Sequence, residues 1–364
     1  MKLVAALLVL IIATPALAAN SDSSSAPRID NSLGLADMLP TPQSGSTPDA
    51  LSISHDIFSK QDDAFGAFQR GYYLTALALA LPRAEKADPS AQTLIAEIYA
   101  KGLGVAENVA RASSWYQLAA KNGDRMAAFE LGLLYLNGDG VPKNRQRAAE
   151  LFQQAADKGY GPAQYNLALL HVDGMDASPS LSDAAKLMKS AADSGLSEAQ
   201  YDYGQMLISG AGVMPDSAEG ARQIGLAAQQ GLIEAEVDYA TLLYLGQGID
   251  RNLQEAVGWY ERAAEAGNAV GQNRYSKLLA AGEGVSLDLK QAAMWRALAR
   301  RQGLNDPQLD KLLASISQTD LNAAEELARF WPSTPPTAQD VAAEEAKMRD
   351  TAKSVPSTKL AGSG

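Results

Sequence analysis

The chain has no cysteine, only two histidines, no excess of basic charge and no apolar run long enough to span a bilayer, and each absence closes off a class of function. Without cysteine there are no disulfides, no thiol catalysis and no thiolate metal sites. A ligand pair or general base built from the histidines would have to join His55, in a polar stretch, to His171, inside a repeat; His171 is expected instead as a packed structural side chain. The 364 residues carry a formal net charge of -11, which argues against nucleic acid as a partner. The apolar stretch at residues 3–12 is too short for a membrane anchor and is followed by Pro15.

Catalytic signatures are missing too. There is no G-x-S-x-G elbow, no serine three residues before a lysine and no H-E-x-x-H. The G-x-G steps at Gly102, Gly138, Gly210, Gly246 and Gly282 lack a third glycine and follow helical rather than strand patterns, so they read as turns. Asp139 and Glu150 have the outer spacing of a calcium loop, but Val141, Lys143 and Asn144 stand where oxygen ligands and the turn glycine belong. No catalytic residue, metal site or cofactor is assigned, although a chance carboxylate pair remains open at this stage.

What the sequence does have is a period of 36 residues. Gly138 recurs as Gly102, Gly174, Gly210, Gly246 and Gly282, and Gly159 as Gly123, Gly195, Gly231, Gly267 and Gly303. Ala155 and Ala127 head two further columns of small residues. A period in this range signals a solenoid of supersecondary units.

Within one unit, Ala127, Leu131 and Tyr135 fall at helical spacing, with Gly132 allowing close approach. Gly138 ends this first helix, and Gly138-Asp139-Gly140 lets the chain reverse. The second helix is announced by the column Asn108, Asn144, Ser180, Asp216, Asn252 and Asp288, all strong N-cap residues. Asp183, Glu219, Glu255 and Gln291 stand three residues on, as a capping box or the helix dipole favours. Ala148, Phe152 and Ala155 form its apolar stripe, and Gly159 stops it. Neither helix can bury its stripe alone, so the pairs must stack.

The pattern A-x-x-x-L-G-x-x-Y-x-x-G-x-G-V followed by A-x-x-W/F-Y/F-x-x-A-A-x-x-G, clearest at residues 127–159 and 235–267, resembles the Sel1-like repeats, relatives of the tetratricopeptide repeats. The resemblance implies an all-α, right-handed α-solenoid of helix-turn-helix units with N- and C-terminal capping helices. Two units depart from the pattern. The third has Asp176 and Ala177 in its turn. The fourth has Gln223 and Ile224 in place of the aromatic pair, with Gly220 and Gly225 inside its second helix. A mid-helix glycine costs roughly 1 kcal/mol relative to alanine, so the fourth repeat is expected to be the softest, with Gly225→Ala a gain if its backbone is helical.

In chain order, residues 1–18 read as a secretory signal ending at Ala16-Leu17-Ala18, and residues 19–55 as a disordered linker. Residues 56–90 read as a degenerate tetratricopeptide-like hairpin, 91–306 as the six repeats, 307–331 as C-terminal capping helices and 332–364 as a disordered tail. The basic cluster Arg296, Arg300 and Arg301 beside Trp295 is read as part of the C-terminal cap.

What remains is surface. If the units stack like tetratricopeptide arrays, the first helices line a concave side on which Phe129, Leu133 and Leu136, then Tyr165, Leu169 and Val172, then Tyr201, Gln205 and Ile208 form an aromatic and aliphatic groove. Aromatic rows anchor protein partners well, although each ring taken singly is also suited to packing between repeats. The expectation is a non-catalytic, periplasmic or secreted scaffold that binds proteins through this groove without stable membrane insertion. The resemblance implies roles in envelope assembly, polysaccharide export or regulation of signalling. The rival readings are a cell-wall or glycan-binding or hydrolytic protein and a secreted effector. Nothing in the residues sets the partner or the oligomeric state.

Overall fold

The computed structural model describes residues 64–174, 180–334 and Asp340. The expected signal, linker and tail, the third-repeat turn at Asp176 and Ala177, and His55 lie outside the described residues. Helices α1 (Ala64–Gln69) and α2 (Tyr73–Ala84) lead into six helix pairs. The first members, here the A helices, are α3 (Pro89–Ala100), α5 (Arg125–Asn137), α7 (Gly161–Asp173), α9 (Ser197–Ser209), α11 (Ile233–Leu245) and α13 (Ala269–Ala281). The B helices are α4 (Val109–Lys121), α6 (Arg145–Ala156), α8 (Leu181–Asp193), α10 (Ser217–Gln229), α12 (Leu253–Glu265) and α14 (Leu289–Arg301). Helices α15 (Pro307–Leu312) and α16 (Gln318–Phe330) close the array, with no strand among the described residues. Each A helix packs on the B helix after it and on the helix before it, which is α2 for α3 and a B helix for the rest, as a solenoid requires.

The turns show why their residues recur. Gly138, Gly174, Gly210, Gly246 and Gly282 take left-handed backbone at the ends of the A helices, and their N–H groups close the last turn. A Cβ on the second turn glycine would strike the start of the preceding B helix, against the Leu181 carbonyl for Gly212 and the Ser217 carbonyl for Gly248. The N-caps act as expected: Asn108, Asn144, Ser180, Asp216, Asn252 and Asp288 each accept from the N–H three residues on, at 2.8–3.2 Å. A full capping box is not built. In five of these caps the residue's own N–H is already taken by an A-helix carbonyl, as in Asn144 to Tyr135 at 2.7 Å and Asp216 to Leu207 at 2.9 Å. The acid at the third position is therefore left to the helix dipole and to side-chain pairs such as Asn252–Glu255.

The stripes fill the core: Ala127, Ala148, Phe152 and Ala155 are fully buried. Gly132 is held against the Phe152 ring, which an added Cβ would meet at 2.6 Å. In the fourth repeat, α10 runs unbroken through both glycines, and each has a steric role. Gly220 faces Gly204 of α9, so that a Cβ on either would lie 2.9 Å from the other's carbonyl oxygen, and a Cβ on Gly225 would meet the Tyr239 ring at 2.8 Å. The backbone of Gly225 is helical, yet alanine there is expected to lose stability, because the ring already occupies the space.

At the C-terminal end Arg296 is 3% exposed and pairs with Asp310 through two hydrogen bonds of 2.8 and 3.0 Å. Arg301 donates to the Ala328 carbonyl at the end of α16, and Trp331 packs edge-on against Trp295. Two of the three basic residues thus hold the cap. At the other end α2 keeps the register of the B helices. Ala87, which follows it, stands one period before Gly123 and takes the same left-handed backbone, with φ of 62°.

Candidate functional site

The groove residues lie on the A helices and are half-buried: Phe129, Leu133, Leu136, Tyr165, Leu169, Val172, Tyr201, Gln205 and Ile208. The Phe129 ring sits 5.7 Å from Phe152 and 5.3 Å from Tyr160, both in its own repeat. Tyr165, Leu169 and Val172 pack against the core formed by α7, α8 and α9, and Tyr201 and Ile208 against that formed by α10 and α11.

The two tyrosines reach further. The Tyr165 hydroxyl donates to Asp202 of the next repeat at 2.9 Å, and that of Tyr201 donates to Asp238 at 2.8 Å, both across 37 residues of sequence. Gln205 Nε2 joins Tyr201 on the same Asp238 oxygen at 2.6 Å. Phe129 has no hydroxyl, and the residue 37 further on is Asn166, which donates to its own helix at Pro162, so the ladder has two rungs.

Burial pushes the Asp202 carboxyl up to about 6, against the opposing hydrogen bond from Tyr165, and nearby Glu198 adds to the rise. Asp238 is raised in the same way, with Tyr201 and Gln205 opposing and Glu234 adding. Among the described residues no lysine or arginine offsets the burial of either. The Tyr165 and Tyr201 hydroxyls are themselves held protonated by burial and by those carboxylates. In the first two repeats Tyr116 donates to Glu97 at 2.8 Å, Lys101 pairs with Glu97, and burial raises the carboxyl of neighbouring Glu130.

A second set of contacts escaped the sequence reading. Gln92, Gln164, Gln200 and Gln272 each donate to the B-helix carbonyl eight residues back, at 2.9–3.4 Å. Gln92, Gln200 and Gln272 also accept from Asn122, Gln230 and Gln302 across 30 residues. In the fifth repeat Glu236 takes the place of this glutamine and pairs with Arg262 at 2.7 Å. The signal was available as a column of glutamine one residue after the small-residue column.

Two cavities among the described residues bear on the site. One of about 280 Å³ is lined by Gln117, Ala120, Lys121, Leu131, Arg147, Leu151 and Gln154 and contains no carboxylate. The other, of about 200 Å³, lies between α11, α13 and α15 and is lined by Tyr244, Lys277, Leu278, Ala281, Glu283, Gln308, Leu309 and Leu312. Among the described residues no group of three histidine or acidic side chains is placed to hold a metal, and no helix is long and apolar enough to cross a membrane. His171 is half-buried on α7.

Comparison with known proteins follows these boundaries. The Sel1 repeat matches residues 89–124, 125–160, 161–196, 197–232, 233–268 and 269–304. A solved Sel1 repeat protein from Oxalobacter formigenes is 27% identical with a TM-score of 0.59, over 66% of this chain and 98% of its own. A protective antigen of uropathogenic Escherichia coli strains that displays an SLR fold gives a TM-score of 0.63 at 21% identity, over 84% of this chain and 67% of its own. No curated protein sequence matches the chain.

Proposed function

The chain belongs to the Sel1 repeat family, whose members generally mediate protein–protein interaction, and from that premise we propose that it is a scaffold whose A-helix face receives a partner protein. The observation that carries this reading is the ladder of Tyr165–Asp202 and Tyr201–Asp238, which holds successive A helices side by side in one fixed surface. A preorganised surface binds with a smaller ordering cost than a mobile one. Neither cavity supplies a pair of carboxylates, which supports the scaffold reading over a hydrolytic one. With a signal ending near Ala18, the scaffold acts in the periplasm or outside the cell, in envelope assembly, polysaccharide export or signalling regulation.

The test is capture from an envelope extract. Replacing Leu133 and Leu169 by Ser should reduce capture while circular dichroism stays unchanged, whereas replacing exposed Gln153 on α6 should leave capture intact. Capture indifferent to the Leu133 and Leu169 changes would overturn the assignment of this face. N-terminal sequencing of the stable protein should begin at Ala19 or Asn20; a start at Met1 or Lys2 would overturn the localisation.

A further inference from the structure

On the A helices of repeats four to six, the face turned from both neighbouring B helices changes character along the array. Helix α9 carries Glu198 and Asp202 one turn apart, and α11 carries Glu234 and Asp238 at the same positions. Glu198 and Glu234 are exposed, and among the described residues no lysine or arginine acts on the half-buried carboxylates of Asp202 and Asp238. Past them the face becomes apolar. Leu245 of α11 is 59% exposed, and the cavity of about 200 Å³ beyond it has Leu278, Ala281, Leu309 and Leu312 in its wall, with Leu312 itself 50% exposed. Two polar pairs are already matched, Lys277 to Asp306 at 2.7 Å and Tyr244 to Glu283 at 2.8 Å, which leaves Gln308 as the remaining polar lining residue. The rest of the wall is apolar and suits an apolar group. Arg274, exposed at the α13 position equivalent to Asp202 and Asp238, ends the acidic stretch.

We infer that this face docks a protein segment carrying two basic residues followed by a bulky apolar side chain, the first basic residue against Glu198 and Asp202, the second against Glu234 and Asp238, and the apolar group in the cavity. The inference rests on the scaffold reading above and adds the chemistry of the partner. Charge complementarity decides the occupant: four carboxylates in a two-by-two array, with no ion pair to a lysine or arginine among the described residues, favour a cationic ligand, and the partial burial of Asp202 and Asp238 strengthens the attraction beyond that of a solvated surface. Packed helices lie roughly 8 to 10 Å apart, which three residues of extended chain span at about 3.3 Å each. The fitting pattern is a basic residue at every third position of an extended segment, ending in leucine or phenylalanine.

Titration of the full chain with a synthetic Lys-x-x-Lys-x-x-Leu peptide, with serine and alanine spacers, tests this. Tight binding that falls with added salt is expected, weakened about tenfold by Glu198→Gln with Glu234→Gln, and by a similar factor by Leu312→Ser or by changing the peptide's leucine to serine. Asp139→Asn with Asp250→Asn, the same loss of charge in exposed turns, should leave it unchanged. Binding no tighter than that of a control peptide with glutamate in place of both lysines would overturn the inference, and so would equal weakening by the turn variants. If envelope capture still depends on Leu133 and Leu169 while this peptide shows no preference, the scaffold reading stands and the inference falls. If capture ignores that face and the peptide shows no preference, both fall.

Discussion

Repeats two and four place a glycine at the same point of the A helix and fill the space beside it differently. In repeat two the space left by Gly132 is taken by the Phe152 ring of its own B helix, a large side chain against a missing one. In repeat four the smaller Ile224 side chain lies 2.7 Å from where a Cβ on Gly204 would stand. Because Gly220 faces Gly204 the backbones also approach, an added Cβ on either lying 2.9 Å from the other's carbonyl oxygen, with half-buried Ile208 taking the matching place against Gly220. The column signals close approach in both. Which group does the approaching is decided on the partner helix, where Phe152 and Ile224 occupy equivalent places one turn from Ala148 and Gly220.

The largest effect expected from this contrast is at Phe152. Its side chain is fully buried, so Phe152→Ala should lower stability by about 3–5 kcal/mol, measured by urea unfolding. A loss below about 1 kcal/mol would mean that repeat two closes around the gap as repeat four does. Next comes the reverse experiment. Gly220→Ala adds a Cβ 2.7 Å from an Ile208 side-chain carbon and 2.9 Å from the Gly204 carbonyl, and Gly225→Ala adds one against Tyr239; each should cost about 1–3 kcal/mol rather than stabilise the helix. A higher midpoint in either variant would show that repeat four is loosely packed, as its glycine content alone suggests.

A smaller effect comes from the rungs that repeat four makes with its neighbours. The folded-state carboxyl of Asp202 lies near 6, above the usual carboxylate range near 4, so the folded chain binds this proton more readily than the unfolded one. Stability should therefore rise as pH falls from 7 through 6 towards 4, by on the order of 1–2 kcal/mol, with Asp238 and Glu130 acting in the same direction. Below that window the trend reverses. The carboxyl of Asp306, lowered to about 2 by Lys277, Asn273 and the Leu309 N–H against its own desolvation, must then be protonated and its contribution is lost. Asp202→Asn should flatten the rise between pH 7 and 4 in thermal melts. An unchanged profile in that variant would assign the dependence elsewhere.

The sequence made the repeat architecture legible because its determinants are local. A left-handed backbone favours glycine, and an N-cap favours Asn, Asp or Ser, at fixed places in every unit. The surface was legible only in part. Periodicity set Tyr165 and Tyr201 in one column, but their partners Asp202 and Asp238 lie one period and one residue away, an offset visible only once stacking brings the helices side by side. The glutamine latches are hidden for the same reason, since a side chain bonding across 30 residues leaves no mark on the pattern within a unit. The surroundings of the α10 glycines were not legible either, because propensity measures a helix alone, whereas Gly220 and Gly225 are fitted to what lies against them.

One column separates the two causes cleanly. At the end of the B helices, Gly159 of repeat two and Gly231 of repeat four have φ of 70° and 85°, and nothing lies within 4 Å of where a Cβ would stand. Contact plays no part there, so these glycines answer to the dihedral alone. Ala87 is the residue of this column before the first repeat and takes φ of 62° with a Cβ present. Left-handed backbone costs a residue with a Cβ roughly 1–2 kcal/mol, and glycine gives back about 0.5–1 kcal/mol in unfolded-chain entropy. Ala87→Gly should therefore stabilise the chain by about 0.5–1 kcal/mol, seen as a higher urea midpoint at unchanged slope, while Gly231→Ala should lose a similar amount. If Ala87→Gly lowers the midpoint instead, this column is held by something other than its backbone angle, and repeats two and four would differ here as well.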